Sequence, residues 1–526
     1  MKMQKATLLR SVLVFILSMF CACGGGGGKG GGKAGGGGNT TYSINIDGMY
    51  AVSVIPPGIF NPVVEYVGIN AVRAFSDVEV AASLNAAHDT LTIEITDTGG
   101  HPIKRLWAIA VESTNAELDN PDSVNKLGQP VFVFGPYATT GSVSRDIQIK
   151  ITAVPATIQF DLLEVNDRIA YSSSKGYVLE QRIWTIDQAG TQPYFVESGA
   201  TGDLVQTIPA WSPGMEWIAY GEVDVDIGLS EIYIVHPDGG SLRSVSPLGK
   251  WSEQPAFTPS GKNLVYSCIG RFPTSSSDIC ITDVNGSYET DLVRGDGYYW
   301  DGSAYQPYPS GFLYNQVYSP RITPDGQNIL FTAYDENLSP SPVNLLSRMY
   351  LYDAPFDPVQ NELTGAPRML GSVINSDTIA TATGYVALSE CVPSFSPDGQ
   401  NLFCFLKEFQ KTSAWGSAAF YGMARIDLPS LLVAPPNAYI GDYITTIYDI
   451  RSYEQSMGAE YLNFQDYSSD LNSLFFCTEY NFETDIDALD LDANFQPVSS
   501  PRHFISDTNT NYSPRLPPPM ISGFYR

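Results

Sequence analysis

Histidine, the residue type most used for acid–base and metal chemistry near neutral pH, occurs only four times in this 526-residue chain. His88 and His101 lie in an N-terminal region of short strands, and His236 and His503 lie far downstream. An imidazole becomes a general base or a metal ligand when a second polar group orients it. We expect these four not to converge with a carboxylate or a metal. The sequence therefore predicts no catalytic residue, no metal site and no cofactor.

Two acidic segments could supply the oxygen ligands that Ca²⁺ prefers. Glu222, Asp224 and Asp226 alternate along the chain, and a second run extends from Asp485 to Asp492. The first segment lacks the loop glycine and the distant glutamate of an EF-hand, and we expect solvated carboxylates in both. The chain also has no Gly-x-Ser-x-Gly motif, which an α/β-hydrolase needs to present its nucleophile.

Six Tyr and Trp residues lie within one Gly- and Pro-containing segment, residues 295–317. They are Tyr298, Tyr299, Trp300, Tyr305, Tyr308 and Tyr314. These side chains give a large amphipathic contact area at low entropic cost, which favours recognition of a protein or a glycan. The alternative is a loop that packs on its own strands. If the segment binds, replacing Tyr299 and Trp300 with alanine should weaken binding and barely change the melting temperature.

Five cysteines follow residue 23, namely Cys268, Cys280, Cys391, Cys404 and Cys477. In an oxidising compartment Cys268 could bridge Cys280, or Cys391 could bridge Cys404, because each pair lies on neighbouring predicted strands. The alternative is buried thiols, and an odd count cannot pair completely within the chain. None of the spacings is typical of a zinc site.

The chain is strongly acidic, since 29 Lys and Arg stand against 56 Asp and Glu, a formal net charge of −27. Such a surface repels nucleic-acid phosphates and anionic lipid headgroups. We therefore expect no nucleic-acid partner. Aromatic residues make up 12% of the chain, which favours strands because these side chains fit a pleated, half-buried surface.

The first 22 residues have the pattern of an export signal. A positively charged segment, residues 2–10, precedes an apolar run, residues 11–20, which is too short to span a membrane. The run ends at Cys21-Ala22-Cys23, and a glycine-rich tract follows. Small residues before a cysteine resemble the lipobox of bacterial lipoproteins, in which the cysteine is lipidated and becomes the first residue.

The resemblance implies lipidation at Cys23, with Cys21 as a second candidate and an ordinary cleaved signal peptide as the alternative. Phe20 stands where the family usually has leucine. Residues 23–41 then form a flexible tether of roughly 20–25 Å, and Gly24 gives no acidic signal for retention at the inner membrane. The resemblance thus implies an outer-membrane lipoprotein that contacts the membrane only through its N-terminal anchor.

Residues 42–165 alternate apolar and polar side chains, which is typical of half-buried strands. Turn clusters separate the runs, and no helical period intervenes. The pattern predicts an immunoglobulin-like β-sandwich, whose function the sequence does not indicate. The clearest runs are Ser43–Ile46, Thr90–Ile95, Val131–Phe134, Asp146–Ile151 and Thr157–Phe160.

From residue 166 onward the sequence repeats. Five segments place one proline four positions before another, with an apolar residue midway. In two of them the second proline begins a Pro-Asp-Gly turn, where Pro fixes φ and Gly accepts a positive φ. A returning strand follows, then a third strand that usually ends in Asp, a short turn and a fourth strand. The segments are Pro209/Trp211/Pro213, Pro255/Phe257/Pro259, Pro320/Ile322/Pro324, Pro393/Phe395/Pro397 and Pro514/Leu516/Pro518.

Four antiparallel strands repeated six times predict a six-bladed β-propeller over residues 166–526. The pattern of residues 209–239, Pro-Ala-Trp-Ser-Pro through Pro-Asp-Gly, resembles the repeat of TolB-type propellers. Blade one lacks a first strand, so Ser513–Leu516 should close the ring as its inner strand. The chain is therefore predicted to be all-β, with the sandwich followed by the propeller.

The TolB resemblance implies a fold more firmly than an activity, since the N-terminal domain of TolB is missing here and related propellers also serve peptidases and pectate-fragment lyases. We interpret the chain as a non-catalytic, lipid-anchored scaffold that binds an envelope or surface protein or glycan. The alternative is a glycan- or peptide-acting lyase or hydrolase with its site at the central funnel. Long loops between second and third strands and between blades favour binding at that face.

Overall fold

The structure is a computed structural model. It describes residues 39–46, 64–70, 78–85, 87, 89–97, 106–124, 128–134, 142–153, 156–164, 168–173, 181–186, 194–196, 204–224, 229–269, 277–308, 316–334, 349–370, 384–388, 394–396, 398–410, 418–435, 438–450, 461–468, 472–480, 483–505 and 511–515. Regular structure in these ranges is almost entirely β-strand, as the composition predicts. The export signal, Cys23 and most of the tether lie outside them and stay predictions.

Ten strands are described in the N-terminal region, and each run predicted from alternation lies within one of them. Sheet A has the order β2-β1-β10-β5-β8-β7, and sheet B has the order β3-β4-β9-β6. The strands are β1 (Asn39–Ile46), β2 (Val64–Asn70), β3 (Val78–Leu84), β4 (Thr90–Asp97), β5 (Leu106–Thr114), β6 (Ala116–Asp119), β7 (Ser123–Val124), β8 (Pro130–Phe134), β9 (Ser142–Ile151) and β10 (Ala156–Glu164).

Sheets A and B face each other across one apolar core. Ile93 and Ile147 of sheet B belong to the same buried cluster as Phe132 and Phe160 of sheet A. Strand β9 alternates buried and exposed side chains, because one of its faces meets this core and the other meets solvent. The N-terminal region is thus a two-sheet sandwich, and its immunoglobulin-like topology stays a prediction.

Strands β5 and β8 are apolar on both faces. Alternate residues, among them Phe132, face the sandwich core. Ile109 on β5 and Val131 and Val133 on β8 belong instead to a cluster with residues of the C-terminal domain. Since successive side chains of a strand point to opposite faces, the outward face of sheet A packs against that domain.

The remaining strands build the C-terminal domain. They are β11 (Ile169–Ser173), β12 (Arg182–Ile186), β13 (Tyr194–Phe195), β14 (Leu204–Trp211), β15 (Ile218–Asp224), β16 (Leu229–Val235), β17 (Arg243–Ser244), β18 (Trp251–Phe257), β19 (Asn263–Ile269), β20 (Ser277–Asp283), β21 (Glu289–Arg294), β22 (Tyr298–Trp300), β23 (Tyr305–Pro307), β24 (Gln316–Ile322), β25 (Asn328–Tyr334), β26 (Met349–Asp357), β27 (Glu362–Leu363), β28 (Arg368–Met369), β29 (Gly384–Leu388), β30 (Ser394–Phe395), β31 (Asn401–Gln410), β32 (Ala418–Asp427), β33 (Ile444–Asp449), β34 (Tyr461–Ser468), β35 (Ser473–Tyr480), β36 (Glu483–Asp490), β37 (Arg502–Ile505) and β38 (Asn511–Arg515).

These strands pair into six blades, as the repeat predicts. Blade one has the order β13-β12-β11-β38; blade two contains β14–β17, blade three β18–β23, blade four β24–β28, blade five β29–β33 and blade six β34–β37. One parallel pair, Ser230 with Trp251, links blades two and three. The described part of the chain is therefore an all-β propeller preceded by two further sheets.

The C-terminal strand closes the ring. β38 runs antiparallel to β11, with Arg515 opposite Ala170 and Asn511 opposite Ser173. This is the inner strand that blade one lacks in sequence order, so the predicted closure is confirmed for residues 511–515. Pairing at this position protects a sheet edge that an open array would expose.

The first proline of the repeat marks a β-bulge in the inner strand. Ile208, Gln254 and Ser319 each precede such a proline and have positive φ values of 46°, 58° and 53°. The pairing register shifts at the same points. Because proline has no N–H to donate to the ladder, the strand bulges and bends there. The proline spacing predicted the repeat from the sequence, but it did not predict this bulge.

The Pro-Asp-Gly turns of blades four and five each pack on a proline of the preceding blade. Gly326 has φ +74°, and a Cβ on it would lie 3.3 Å from Pro259 Cγ of the preceding blade. Gly399 has φ +68° and faces Pro324 in the same way, at 3.5 Å. The backbone conformation favours glycine in both turns, and at Gly326 the neighbouring proline ring also leaves little space for a Cβ.

Blade five contains the described helical segments, α1 (Leu428–Leu432) and a 3₁₀ turn (Ile440–Tyr443). Asp427, the residue that ends β32, caps α1 by accepting a hydrogen bond from the Ser430 N–H at 3.2 Å. A strand-ending Asp of the repeat thus serves as a helix cap. Among the described residues, no helix is long and apolar enough to cross a membrane.

Candidate binding surface on blade three

A two-stranded hairpin extends blade three beyond its fourth strand. β22 pairs with β21, with Tyr299 opposite Val293, and β23 pairs with β22, with Tyr305 opposite Trp300. The sequence indicated a loop over residues 295–317, and this is wrong for its first half. The edge of β21 supplies backbone partners that allow even three-residue strands to form.

Tyr299 and Tyr308 hold the hairpin onto the blade. Tyr308 belongs to the main apolar core of the propeller, and its N–H donates to the Gly297 carbonyl oxygen at 3.0 Å. Its ring stacks on Tyr299 with 5.8 Å between centroids. Burial raises the pKa of Tyr308 well above its ordinary value. Replacing Tyr299 would therefore disturb the fold as well as any binding.

The hairpin also presents two tyrosines to solvent. Tyr298 is 42% exposed and Tyr305 is 38% exposed. The Arg294 guanidinium carbon lies 6.0 Å from the Tyr298 ring centroid and 5.0 Å from that of Tyr305, within the range of cation–π contacts. Trp300 is half-buried and meets Tyr305 edge to face, with centroids 5.2 Å apart. Arg294, Tyr298 and Tyr305 together form what we call the blade-three platform.

Carboxylates lie beside the platform. Arg294 forms an ion pair with Asp296, two positions along the chain. The Asp278 carboxylate accepts a hydrogen bond from the Gly295 N–H at 2.8 Å. Burial raises the pKa of Asp278 to about 6, and that hydrogen bond acts in the opposite direction. The charge beside the platform therefore changes between about pH 5 and pH 7.

Asp301 fixes the hairpin turn. Its Oδ1 accepts hydrogen bonds from the N–H groups of Ala304 at 2.8 Å and Ser303 at 2.9 Å, and its Oδ2 accepts from the Gln306 amide at 2.8 Å. These hydrogen bonds, the Ala304 one first, lower the pKa of Asp301 to about 2. A turn that is already ordered lowers the entropic cost of presenting Tyr305 to a partner.

The five described aromatic candidates differ in exposure. Tyr298 and Tyr305 are exposed, Tyr308 is buried in the core, and half-buried Tyr299 and Trp300 pack against that core. Sequence reasoning missed Arg294 as a member of the surface. The signal in the sequence was the short turn at residues 295–297. This turn places Arg294 opposite Tyr298 in the antiparallel pairing of β21 with β22. Tyr314 lies outside the described residues.

One histidine meets carboxylates, contrary to our expectation. The Nδ1 atom of His503 lies 2.8 Å from Asp487 Oδ1 and 3.6 Å from Asp485 Oδ2. Adjacent strands β36 and β37 place Asp487 opposite His503, a register that spacing along the chain could not show. The ring of His236 packs against Trp217, with 3.8 Å between centroids. Two histidines lie outside the described residues: His88 and His101.

The acidic segments contain carboxylates that serve the fold. Glu222 is buried rather than solvated and accepts a hydrogen bond from the Gln206 amide at 2.8 Å. Burial raises its pKa, against the effect of that hydrogen bond. Asp490 accepts from the Ser473 hydroxyl at 2.7 Å and pairs with Arg502 at 3.2 Å. Asp226 lies outside the described residues.

Cys268 and Cys280 form a disulfide between β19 and β20, which is one of the two bridges that the sequence left open. Cys391 lies outside the described residues, so the other bridge stays a prediction. The Cys280 sulfur lies 3.2 Å from Asp291 Oδ1. Cys268, Cys280 and Asp291 are the one cluster of three potential metal ligands in the described ranges, and its two sulfurs are bonded to each other. Two further cysteines are buried in blades five and six: Cys404 and Cys477.

The six blades, closed by a C-terminal strand, define a β-propeller. Blade three carries an additional aromatic hairpin beyond its fourth strand. No protein-family model matches the chain, and no curated protein matches it. Solved structures do show likeness. TolB from Acinetobacter baumannii is 13% identical, with a TM-score of 0.43 over 84% of this chain and 82% of that chain.

Two further solved structures are similar to this chain. A putative TolB from Agrobacterium tumefaciens is 12% identical, with a TM-score of 0.37 over 66% of this chain and 98% of that chain. The β-propeller domain of the Trilobed protease from Pyrococcus furiosus is 11% identical, with a TM-score of 0.28 over 55% of this chain and 82% of that chain. The fold is a six-bladed β-propeller, and the strand pairing of the chain itself carries that conclusion.

Proposed function

We propose that this chain is a non-catalytic binding protein of the bacterial cell envelope, which recognises a protein or a glycan through the blade-three platform. The supporting observation is the solvent-facing pair Tyr298 and Tyr305 with Arg294 between them. Tyr and Arg are enriched among the residues that dominate binding energies. Among the described strands, two strands beyond the fourth occur in blade three alone.

The proposal includes an anchor at the membrane. Residues 1–22 would be removed as a signal peptide, Cys23 would carry lipid, and the part of residues 23–41 that precedes β1 would tether the immunoglobulin-like sandwich and the propeller. The lipobox-like sequence and the glycine-rich tract support this arrangement. The propeller would then lie at the outer membrane, on the periplasmic or the outer surface.

The test compares binding by matched tyrosine variants. The immobilised chain is incubated with solubilised envelope and with a glycan panel, as wild type, as Tyr298→Ala/Tyr305→Ala and as Tyr288→Ala. Tyr288 is the control, because it is also 38% exposed on blade three but lies in the turn after β20. We expect the double variant to weaken binding by about tenfold or more and the control to bind like wild type.

Two results would contradict the proposal. One is equal binding by all three proteins. The other is that the wild type hydrolyses or cleaves a polysaccharide or peptide, and that the double variant does so at the same rate. The fold alone does not distinguish binding from catalysis.

A further inference from the structure

The hairpin turn between β16 and β17 in blade two is buried. Residues 237–240 are all buried, whereas the corresponding turns of blades three and six, residues 285–288 and 492–494, are exposed. Turns at the face of a domain normally stay in water, because their backbone polar groups need hydrogen-bond partners. Another part of the chain must therefore cover the blade-two turn.

The outward face of sheet A is the cover. Ile109 and Val131 of that face share one buried cluster with Val235, which directly precedes the turn region, and Leu242 behind the turn packs on the same cluster. Val131 is fully buried. The apolar face of β5 and β8 thus belongs to the same cluster as residues on both sides of the turn.

Blade two is altered to receive this face. Its other turn, between β14 and β15, has Met215 at the positive-φ position that Gly261 and Gly326 occupy in blades three and four. Met215 has φ +55° and a buried side chain in the cluster that contains Ile109 and Val131. A strained conformation is tolerated here because it places an apolar side chain in the interface.

A carboxylate lies inside the covered turn. The Asp238 residue is 1% exposed, and its Oδ1 accepts a hydrogen bond from the Gly240 N–H at 2.8 Å. Its Oδ2 has no hydrogen-bond partner among the described residues. Burying a charged oxygen without a partner is costly, and a proton removes the charge. Burial accordingly raises the pKa of Asp238 to about 6, against the effect of the hydrogen bond from Gly240.

Three surrounding elements carry charged or titratable groups. On the sandwich side, Arg145 pairs with Asp122 at 2.6 Å beside β8. On blade one, the Tyr194 hydroxyl donates to the main-chain oxygen of Asp238 at 3.3 Å. On blade two, the His236 ring lies 3.8 Å from the Trp217 ring, centroid to centroid, and the Arg243 guanidinium carbon lies 4.4 Å from the same ring.

We propose that the outward face of sheet A docks on the blade-two turn and that docking takes up a proton at Asp238, so that the sandwich and the propeller hold together more tightly in acid than in alkali. The sign follows from linkage. A carboxyl whose pKa is about 6 when docked and 3.8 when exposed favours docking fully below about pH 4, and this contribution is lost as the pH rises to about 6. Between pH 5 and pH 8 the docking constant should fall about tenfold.

Hydrogen exchange of the full-length chain tests this. Exchange of the backbone amides in residues 237–242 is measured at pH 5 and pH 8 and corrected for the intrinsic chemical rate. We expect the protection factor of the wild type to fall about tenfold between the two values, and that of Asp238→Asn to stay the same. Asp492→Asn, the same change in the exposed turn of blade six, should behave like wild type.

A second variant identifies the cover. Val131→Asp places a charge in the outward face of sheet A and should deprotect residues 237–242 at both pH values, while the amides of blade six keep their protection. The proposal is overturned if wild-type protection is equal at pH 5 and pH 8. It is also overturned if the protection factor of Asp238→Asn still falls between pH 5 and pH 8. A third contradicting result is a turn that stays protected from exchange in Val131→Asp.

Discussion

Single glycines and prolines form contacts between neighbouring blades. In the turn of blade four, Gly326 has a positive φ and lies between Pro259 of blade three and Pro358 of its own blade. The Pro-Asp-Gly pattern predicted the backbone conformation from the sequence. The contact with the preceding proline could not be predicted, because it depends on how two blades pack.

Replacing Gly326 with alanine tests the double role of this residue. The new Cβ would lie 3.3 and 3.4 Å from two proline rings, whereas Gly261, with φ +69°, has one ordinary contact at 3.6 Å with Pro213. Both variants pay the backbone cost of about 1–2 kcal/mol, and Gly326→Ala should lose about 1 kcal/mol more. Urea unfolding of both variants measures the difference. Equal losses would mean that the proline contact is unimportant.

At the scale of elements, the blades could be predicted from the sequence, but the hairpin of blade three could not. Period-2 patterns identify strands of four or more residues, but β22 and β23 have three residues each. β22 pairs with the edge of β21 and β23 pairs with β22, so these strands form through pairing and show no local pattern in the sequence. The sequence therefore found the aromatic residues of the surface and could not separate exposed Tyr298 from buried Tyr308. It also missed Arg294, whose role depends on that register.

The disulfide joins two elements, β19 and β20, across a sequence separation of 12 residues. Replacing Cys268 and Cys280 with serine should lower the free energy of unfolding by about 2–3 kcal/mol. Cys477→Ser is the control, because it changes a buried cysteine in blade six. Denaturant unfolding measures both losses. A double variant no less stable than the control, or five alkylated thiols in the non-reduced mature protein, would contradict the bridge.

At the scale of the whole molecule, the order of the regions and the closure of the ring followed from the repeat. The contact between sandwich and propeller did not, although two signals were present. Val131 and Val133 are apolar on the face opposite Phe132, and Met215 stands where other blades have glycine. Neither signal identifies the contact until the second surface is known, because a strand that is apolar on both faces can pack against several kinds of element.

Removing residues 511–526 tests the closure. Without β38, blade one loses its inner strand and exposes the edge of β11. We expect the melting temperature to fall by at least about 10 °C, which corresponds to a few kcal/mol in a domain of this size. A peptide of residues 506–526 should restore the loss, and a scrambled peptide should not. An unchanged melting temperature in the truncated chain would refute closure by this strand.

Site-specific photo-cross-linking in the living bacterium tests the binding surface most directly. A benzoylphenylalanine replaces Tyr298 on the platform in one protein and Tyr288, a tyrosine of similar exposure on the same blade, in another. We expect irradiation to give one defined covalent adduct, with an envelope protein or a glycan, from position 298 and none from position 288. No adduct at position 298, or the same adducts at both positions, would contradict a binding function for the blade-three platform.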